Sequence, residues 1–169
     1  MRLYPAKFGT LSTEIVRTLR DAGDIECAHP KEVEADVHAV LDQYARADRE
    51  LGDKTKDLLE SRGLPSTDFS RMKKLLAEQA GIKIGDEMLD YVLDQIVEIL
   101  LHSSNVDEVF AEDVELRRKM APVLKRHLAL DDEIEREVSG KLKHVQEGTR
   151  TWEVEHARIQ EEIRRRKGV

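Results

Sequence analysis

The greatest density of functional groups lies in His102-Ser103-Ser104-Asn105-Val106-Asp107-Glu108-Val109-Phe110-Ala111-Glu112-Asp113. Its hydroxyls, amide and carboxylates are oxygen donors of the kind that hold a hard divalent cation. The segment lacks the glycine and the alternating carboxylates of a calcium loop. The same residue types also serve as helix caps. Asn105 suits a local cap, while Asp107, Glu108, Glu112 and Asp113 suit the positive N-terminal end of a following helix. We read the segment as capping.

Elsewhere the spacing is poor for catalysis. His29, His38, His102, His127, His144 and His156 contain no His-x-x-x-His pair, so the zinc-helix pattern is missing. Gly81-Ile82-Lys83-Ile84-Gly85 has two glycines but no Lys-Ser/Thr after them, and no Gly-x-Ser-x-Gly occurs. The single cysteine, Cys27, excludes an intrachain disulfide and a cysteine zinc site. No catalytic residue, metal or cofactor is expected, and the pattern points away from an enzyme.

Two other constellations suggest contacts with macromolecules. Arg117, Arg118, Lys119, Lys125 and Arg126 flank Pro122, and Arg164, Arg165, Arg166 and Lys167 form a second basic block. Phosphate binding would need such cations, although aromatic residues do not interleave with them as a base-stacking surface requires. Acidic runs at Asp107 to Glu115 and at Asp131 to Glu137 oppose them, so alternating solvated faces are the plainer reading. The second constellation is a seam. Val138, Val145, Trp152 and Ile159 are spaced by seven, and Leu142, Thr149, His156 and Ile163 each follow four residues later. That is a heptad pattern with polar members at Thr149 and His156, where polarity can set register. Trp152, the sole tryptophan, is either an anchor of intrachain packing or an interface hot spot.

The elements that must position these groups are helical. The chain has 169 residues, of which 40% are hydrophobic, 37% charged and only 4% aromatic. Such a composition suits helices and disfavours sandwiches and barrels. Lys and Arg number 28 against 35 Asp and Glu, a net charge of −7 that disfavours general DNA coating. The N-terminal residues lack the apolar stretch of a secretory signal, and the longest aliphatic run, Ile99-Leu100-Leu101, is far short of a membrane span. A cytoplasmic protein without a membrane partner is expected.

Periodicity then divides the chain. Phe8, Leu11, Ile15 and Leu19 share a face, and Ala22-Gly23-Asp24 stops that helix. Pro30 opens a long helix carrying Val33, Val37, Val40, Tyr44, Ala47, Leu51, Thr55 and Leu58, which ends at Gly63-Leu64. A short helix places Phe69, Met72, Leu76 and Ala80 inward and stops at Gly81. Ile82-Lys83-Ile84 alternates as a very short strand would. Met88, Val92, Ile96, Ile99 and Leu100 then form the most hydrophobic helix, which should be the central one. A further helix starts at Glu112 and carries Leu116, Met120, Val123, Leu124 and Leu128, with a kink expected near Met120 because Pro122 removes a hydrogen bond. Gly148 is a point at which the seam would split.

Residues 2 to 28 also align without a gap on residues 83 to 109. Ile15-Val16 meets Ile96-Val97, and Asp24-Ile25-Glu26 meets Asn105-Val106-Asp107. We read an internal duplication, with repeats at 1–64 and 82–148, a linker and short helix at 65–81, and a C-terminal helix with its basic tail at 149–169.

Four stretches carry a family resemblance. They are the opening Met-Arg-Leu-Tyr, the run from Gln95 to Phe110, Asp113 to Met120, and Glu147 to His156. With them the whole chain resembles the bacterial domain-of-unknown-function family numbered 507. The resemblance implies a bacterial, soluble, helical protein and no particular activity. The expected fold is therefore an all-α bundle of long helices, arranged as two related hairpins plus a C-terminal helix. The expected function is a non-enzymatic interaction or self-association module whose seam is Val138, Leu142, Val145, Trp152, His156, Ile159 and Ile163. The alternative is RNA or ribosome binding through the basic patches.

Overall fold

Glycine punctuation sets the helix lengths. Gly23 and Gly63 both take positive φ, at 72° and 60°, a conformation that costs a residue with a Cβ. Each lets the chain turn back so that a later amide reaches an otherwise orphaned carbonyl. Asp24 donates to Leu19 at 2.9 Å and Leu64 donates to Leu59 at 2.9 Å. Gly81 ends the next helix in the same manner, with Ile82 donating to Ala77.

The computed structural model describes Leu3, residues 5–145 and residues 150–167. The resulting helices are α1 (Phe8–Asp21), α2 (Pro30–Ser61), α3 (Phe69–Ala80), α4 (Met88–His102), α5 (Asp113–Lys141) and α6 (Arg150–Lys167). Short 3-10 turns precede α1, α3 and α4. The only sheet among the described residues is a ribbon of β1 (Ile25–Glu26) and β2 (Glu108–Val109), antiparallel, with Ile25 opposite Val109 and Glu26 opposite Glu108. The fold is all-α, as expected.

Two compact units divide the chain, Leu3–Lys125 and the segment from Arg126 to the end; α5 contributes to both. In the first unit α2 is the hub, packing against α1, α3 and α4. Phe8, Leu11, Ile15 and Leu19 of α1, Val33, Val37 and Leu41 of α2, and Met88, Val92, Ile96 and Leu100 of α4 are all essentially inaccessible. Burial on this scale stabilises by about 1.5–3 kcal/mol for each large aliphatic side chain. Two hydroxyls share this interior at little cost. Ser12 Oγ donates to the Phe8 carbonyl and Thr55 Oγ1 to the Leu51 carbonyl.

Some expectations need correction. The inward stripe of α2 runs through Leu41 and Leu59, while Val40 and Leu58 are only half-buried at its edge. In α3 only Ala77 is buried. Phe69, Met72 and Leu76 are half-buried and Ala80 is exposed, because the main helix against which α3 packs is α2. Residues Ile82 to Ile84 form no strand. They have no partner strand, and Tyr44 Oη donates to the Lys83 carbonyl at 3.0 Å instead. Burial pushes the Tyr44 phenol well above its ordinary range, so it stays a donor. Pro122 lies inside α5, which runs on without a break to Lys141.

In the C-terminal unit, Ile134, Val138, Leu142, Ile159 and Ile163 form one apolar cluster, with Leu130, Val145 and Trp152 partly buried against it. The connector between α1 and α2 and the connector between α4 and α5 lie beside each other in the ribbon. Ile96 sits at the centre of the first unit with no exposure. Ile96→Ala should lower unfolding stability by about 2–5 kcal/mol, read as a drop in the urea midpoint with an unchanged slope.

Candidate functional site: the paired connectors

The segment richest in functional groups, residues 102–113, is the connector between α4 and α5, and it is tied to the earlier connector between α1 and α2. Asp24 is the centre of this knot. Its side chain is 9% exposed and accepts two hydrogen bonds from Lys119 Nζ, at 2.6 and 2.7 Å. Its backbone carbonyl accepts from the Phe110 amide at 2.8 Å, and the Glu26 carbonyl accepts from the Asp107 amide at 2.8 Å. Thus the end of α1, the ribbon and the second turn of α5 are fastened by one carboxylate and a few backbone bonds.

The other polar groups of the connector are likewise engaged. Asp107 Oδ2 accepts from the Ala28 amide at 2.8 Å, just before α2 begins. Asp36 Oδ2, on α2, accepts from Ser103 Oγ at 2.5 Å and Asn105 Nδ2 at 2.9 Å. His102 Nδ1 lies 2.8 Å from the Glu98 carbonyl. Ser103 Oγ also accepts from the Asn105 amide at 3.0 Å. This is the satisfaction of chain ends and loop amides that caps provide. The capping partners nevertheless differ from the local reading. Asp107 accepts from the Ala28 amide in the loop before α2, and Asn105 reaches Asp36. Among the described residues no three His, Cys, Asp or Glu side chains are placed to share a metal ion.

Cys27, in the first connector, is buried. Burial pushes its thiol up, Arg20 offsets part of that rise, and Asp107 adds to it.

The basic candidates are dispersed by helix geometry, because successive residues of a helix turn through about 100°. Arg117 reaches Asp90 at 3.4 Å and also pairs with Asp94, both on α4. Lys119 turns inward to Asp24. Arg118 and Lys125 are exposed on the outer face, as is Arg126 on the far side of the unit boundary. In the tail, Arg164 pairs with buried Asp131 at 3.0 Å, Arg166 with Glu137, and Lys167 with Glu133 at 2.5 Å. The Arg166 pairing holds the Glu137 carboxyl below its ordinary range. Arg165 is exposed.

The seam residues meet within the chain. Val138, Leu142, Ile159 and Ile163 are buried, and Val145 and Trp152 are half-buried. His156 Nε2 lies 2.7 Å from Glu135 Oε1, and its ring stacks at a tilt on Trp152 with centroids 4.7 Å apart. α5 ends at Lys141 and α6 begins at Arg150, so the pattern belongs to two helices rather than one. Thr149 and Gly148 fall outside the described residues. Sequence reasoning missed Asp24 and Asp36 as organisers of the site, and the exposed apolar side chains Phe110 (58%), Val114 (73%) and Leu101 (47%) around it. A lone aspartate in a short connector carries no local signal of what it will bind.

The chain matches the model of DUF507, Protein of unknown function (DUF507), over residues 1–169. It belongs to that family. Among curated proteins none matches it. No helix of the described residues is long and apolar enough to cross a membrane.

Two measurements check the knot. Lys119→Met should cost about 2 kcal/mol by leaving a buried carboxylate unpaired, and a double-mutant cycle with Asp24→Asn should show that the two losses are not additive. Cys27 should react with iodoacetamide at least about tenfold more slowly in the folded protein than in denaturant at mildly alkaline pH.

Proposed function

We propose that this chain is a non-enzymatic interaction module that presents the connector between α4 and α5 to a protein partner or to a further copy of itself. The observation that carries this reading is the exposure of Phe110 on the connector and of Val114 in the first turn of α5, where the connector is fastened through Asp24, Asp36 and Asp107. Single exposed apolar residues are ordinary on a protein surface. Two on one short segment, with Leu101 at the end of the preceding helix, make a surface suited to docking. A fastened connector also loses little conformational freedom when it binds, which favours affinity. The C-terminal seam is not part of that surface, because its apolar side chains pack on one another within the chain.

RNA or ribosome binding is the competing reading. It would draw on Arg118, Lys125 and Arg165, since five of the other candidate cations hold carboxylates of the same chain.

A pull-down with the tagged full chain, split into nuclease-treated and untreated halves, separates the two. Recovery of a protein that survives nuclease and is lost with Phe110→Ser is the expected result. Recovery that depends on RNA and collapses with added salt would replace this reading with the competing one.

A further inference from the structure

The outer surface of the α4–connector–α5 hairpin carries two rows of opposite charge. Asp90, Asp94 and Glu98 are four residues apart along α4, so they share one face. Their side chains are 74%, 55% and 72% exposed. Along α5, Val114, Arg118, Pro122 and Lys125 fall on one face at spacings of four, four and three, and all four are exposed. Arg117 fastens the rows side by side through its pairs with Asp90 and Asp94. At one end lie the apolar residues. Leu101 continues the acidic row of α4, Val114 begins the row of α5, and Phe110 stands on the connector between the two helices.

Resting on the interaction-module reading above, we propose that this face docks against the same face of a second copy of the chain. Charge complementarity selects that occupant and its orientation. Turn a second copy over about an axis that lies in the face and runs between the rows. Each α4 then lies on the partner's α5, so acids meet cations twice, by symmetry. Because that axis runs along the rows, both connectors stay at the same end. Leu101, Phe110 and Val114 of one copy therefore meet those of the other. Turning the copy about an axis across the rows does the reverse, stacking acids on acids. One orientation thus satisfies both the charges and the apolar residues.

The same layout argues against a nucleic acid here. The row of Asp90, Asp94 and Glu98 would lie along any phosphate backbone drawn to Arg118 and Lys125. Pro122 adds a feature on the outer row. It has no N–H to donate, so the Arg118 carbonyl lacks the usual i+4 donor there.

The test is sedimentation velocity of the full chain through the micromolar range, with charge-swapped variants and circular dichroism as the folding control. The wild type should show a concentration-dependent dimer that weakens about tenfold or more as salt is raised. Arg118→Glu/Lys125→Glu should be monomeric, because both of its rows are acidic. Asp90→Lys/Glu98→Lys, which spares the Asp94–Arg117 pair, should be monomeric because both rows are basic. An equimolar mixture of the two should restore the dimer mass. Phe110→Ser should weaken the dimer while leaving the fold intact.

The proposal is overturned by a wild type that stays monomeric throughout. It is also overturned if the folded swapped variants dimerise like the wild type, or if their mixture stays monomeric. A monomeric wild type that still captures a nuclease-resistant protein through Phe110 would overturn self-docking and leave the interaction-module reading standing. Loss of that capture as well would remove both.

Discussion

The first unit depends on how one carboxylate is buried. Asp24 follows directly on the glycine turn that ends α1, and only 9% of its side chain remains exposed. An unpaired charge in that position would cost several kcal/mol, so the fold is compatible only with a cation brought to it. Lys119 supplies that cation from α5, far along the chain. Meeting this requirement places α5 beside the end of α1. The Phe110 amide then reaches the Asp24 carbonyl, and the two connectors pair as a ribbon. What remains outside are two apolar side chains, Phe110 of the connector and Val114 of the first turn of α5.

The same electrostatic economy runs through the C-terminal unit. Asp131 is 3% exposed and Arg164 reaches it from α6, while Glu133 and Glu137 hold Lys167 and Arg166 at the surface. The buried pair carries more weight than the exposed ones, which contribute about 0–1 kcal/mol each. A basic tail that looks in the sequence like a phosphate-binding block is thus largely a clamp between α6 and the end of α5. The run Arg117-Arg118-Lys119 shows the same principle on a smaller scale. Adjacent in sequence, these residues leave the helix in three directions, and two of the three are neutralised by acids of neighbouring elements.

The heptad seam shows what periodicity leaves open. A repeat of seven with an apolar residue four places on describes a continuous helix seeking a partner. Here the chain leaves α5 at Lys141, and α6 supplies the partner from within the same molecule. The side chains at the seam positions are as apolar as the pattern demands in either arrangement. Spacing alone carries no information on whether the facing helix belongs to the same chain.

Much of the fold was legible in the residues themselves. The all-α class, the helix ends at Gly23, Gly63 and Gly81, the start of α2 at Pro30 and the buried face of α4 all follow from local signals. They are decided within a turn or two, by backbone freedom at glycine, by the missing N–H of proline and by the 3.6-residue period. The match of the whole chain to its family was likewise carried by short motifs. Tertiary structure alone decided the partners of Asp24, Asp36 and Asp107, the half-burial of Phe69 and Met72 on α3, and the inward turn of Lys119 against the outward turn of Arg118. Each of these depends on which distant element arrives at a given face. Hydrogen bonding and charge neutralisation act over a few ångströms in space, and nothing in the spacing of residues along the chain states which groups will be brought that close.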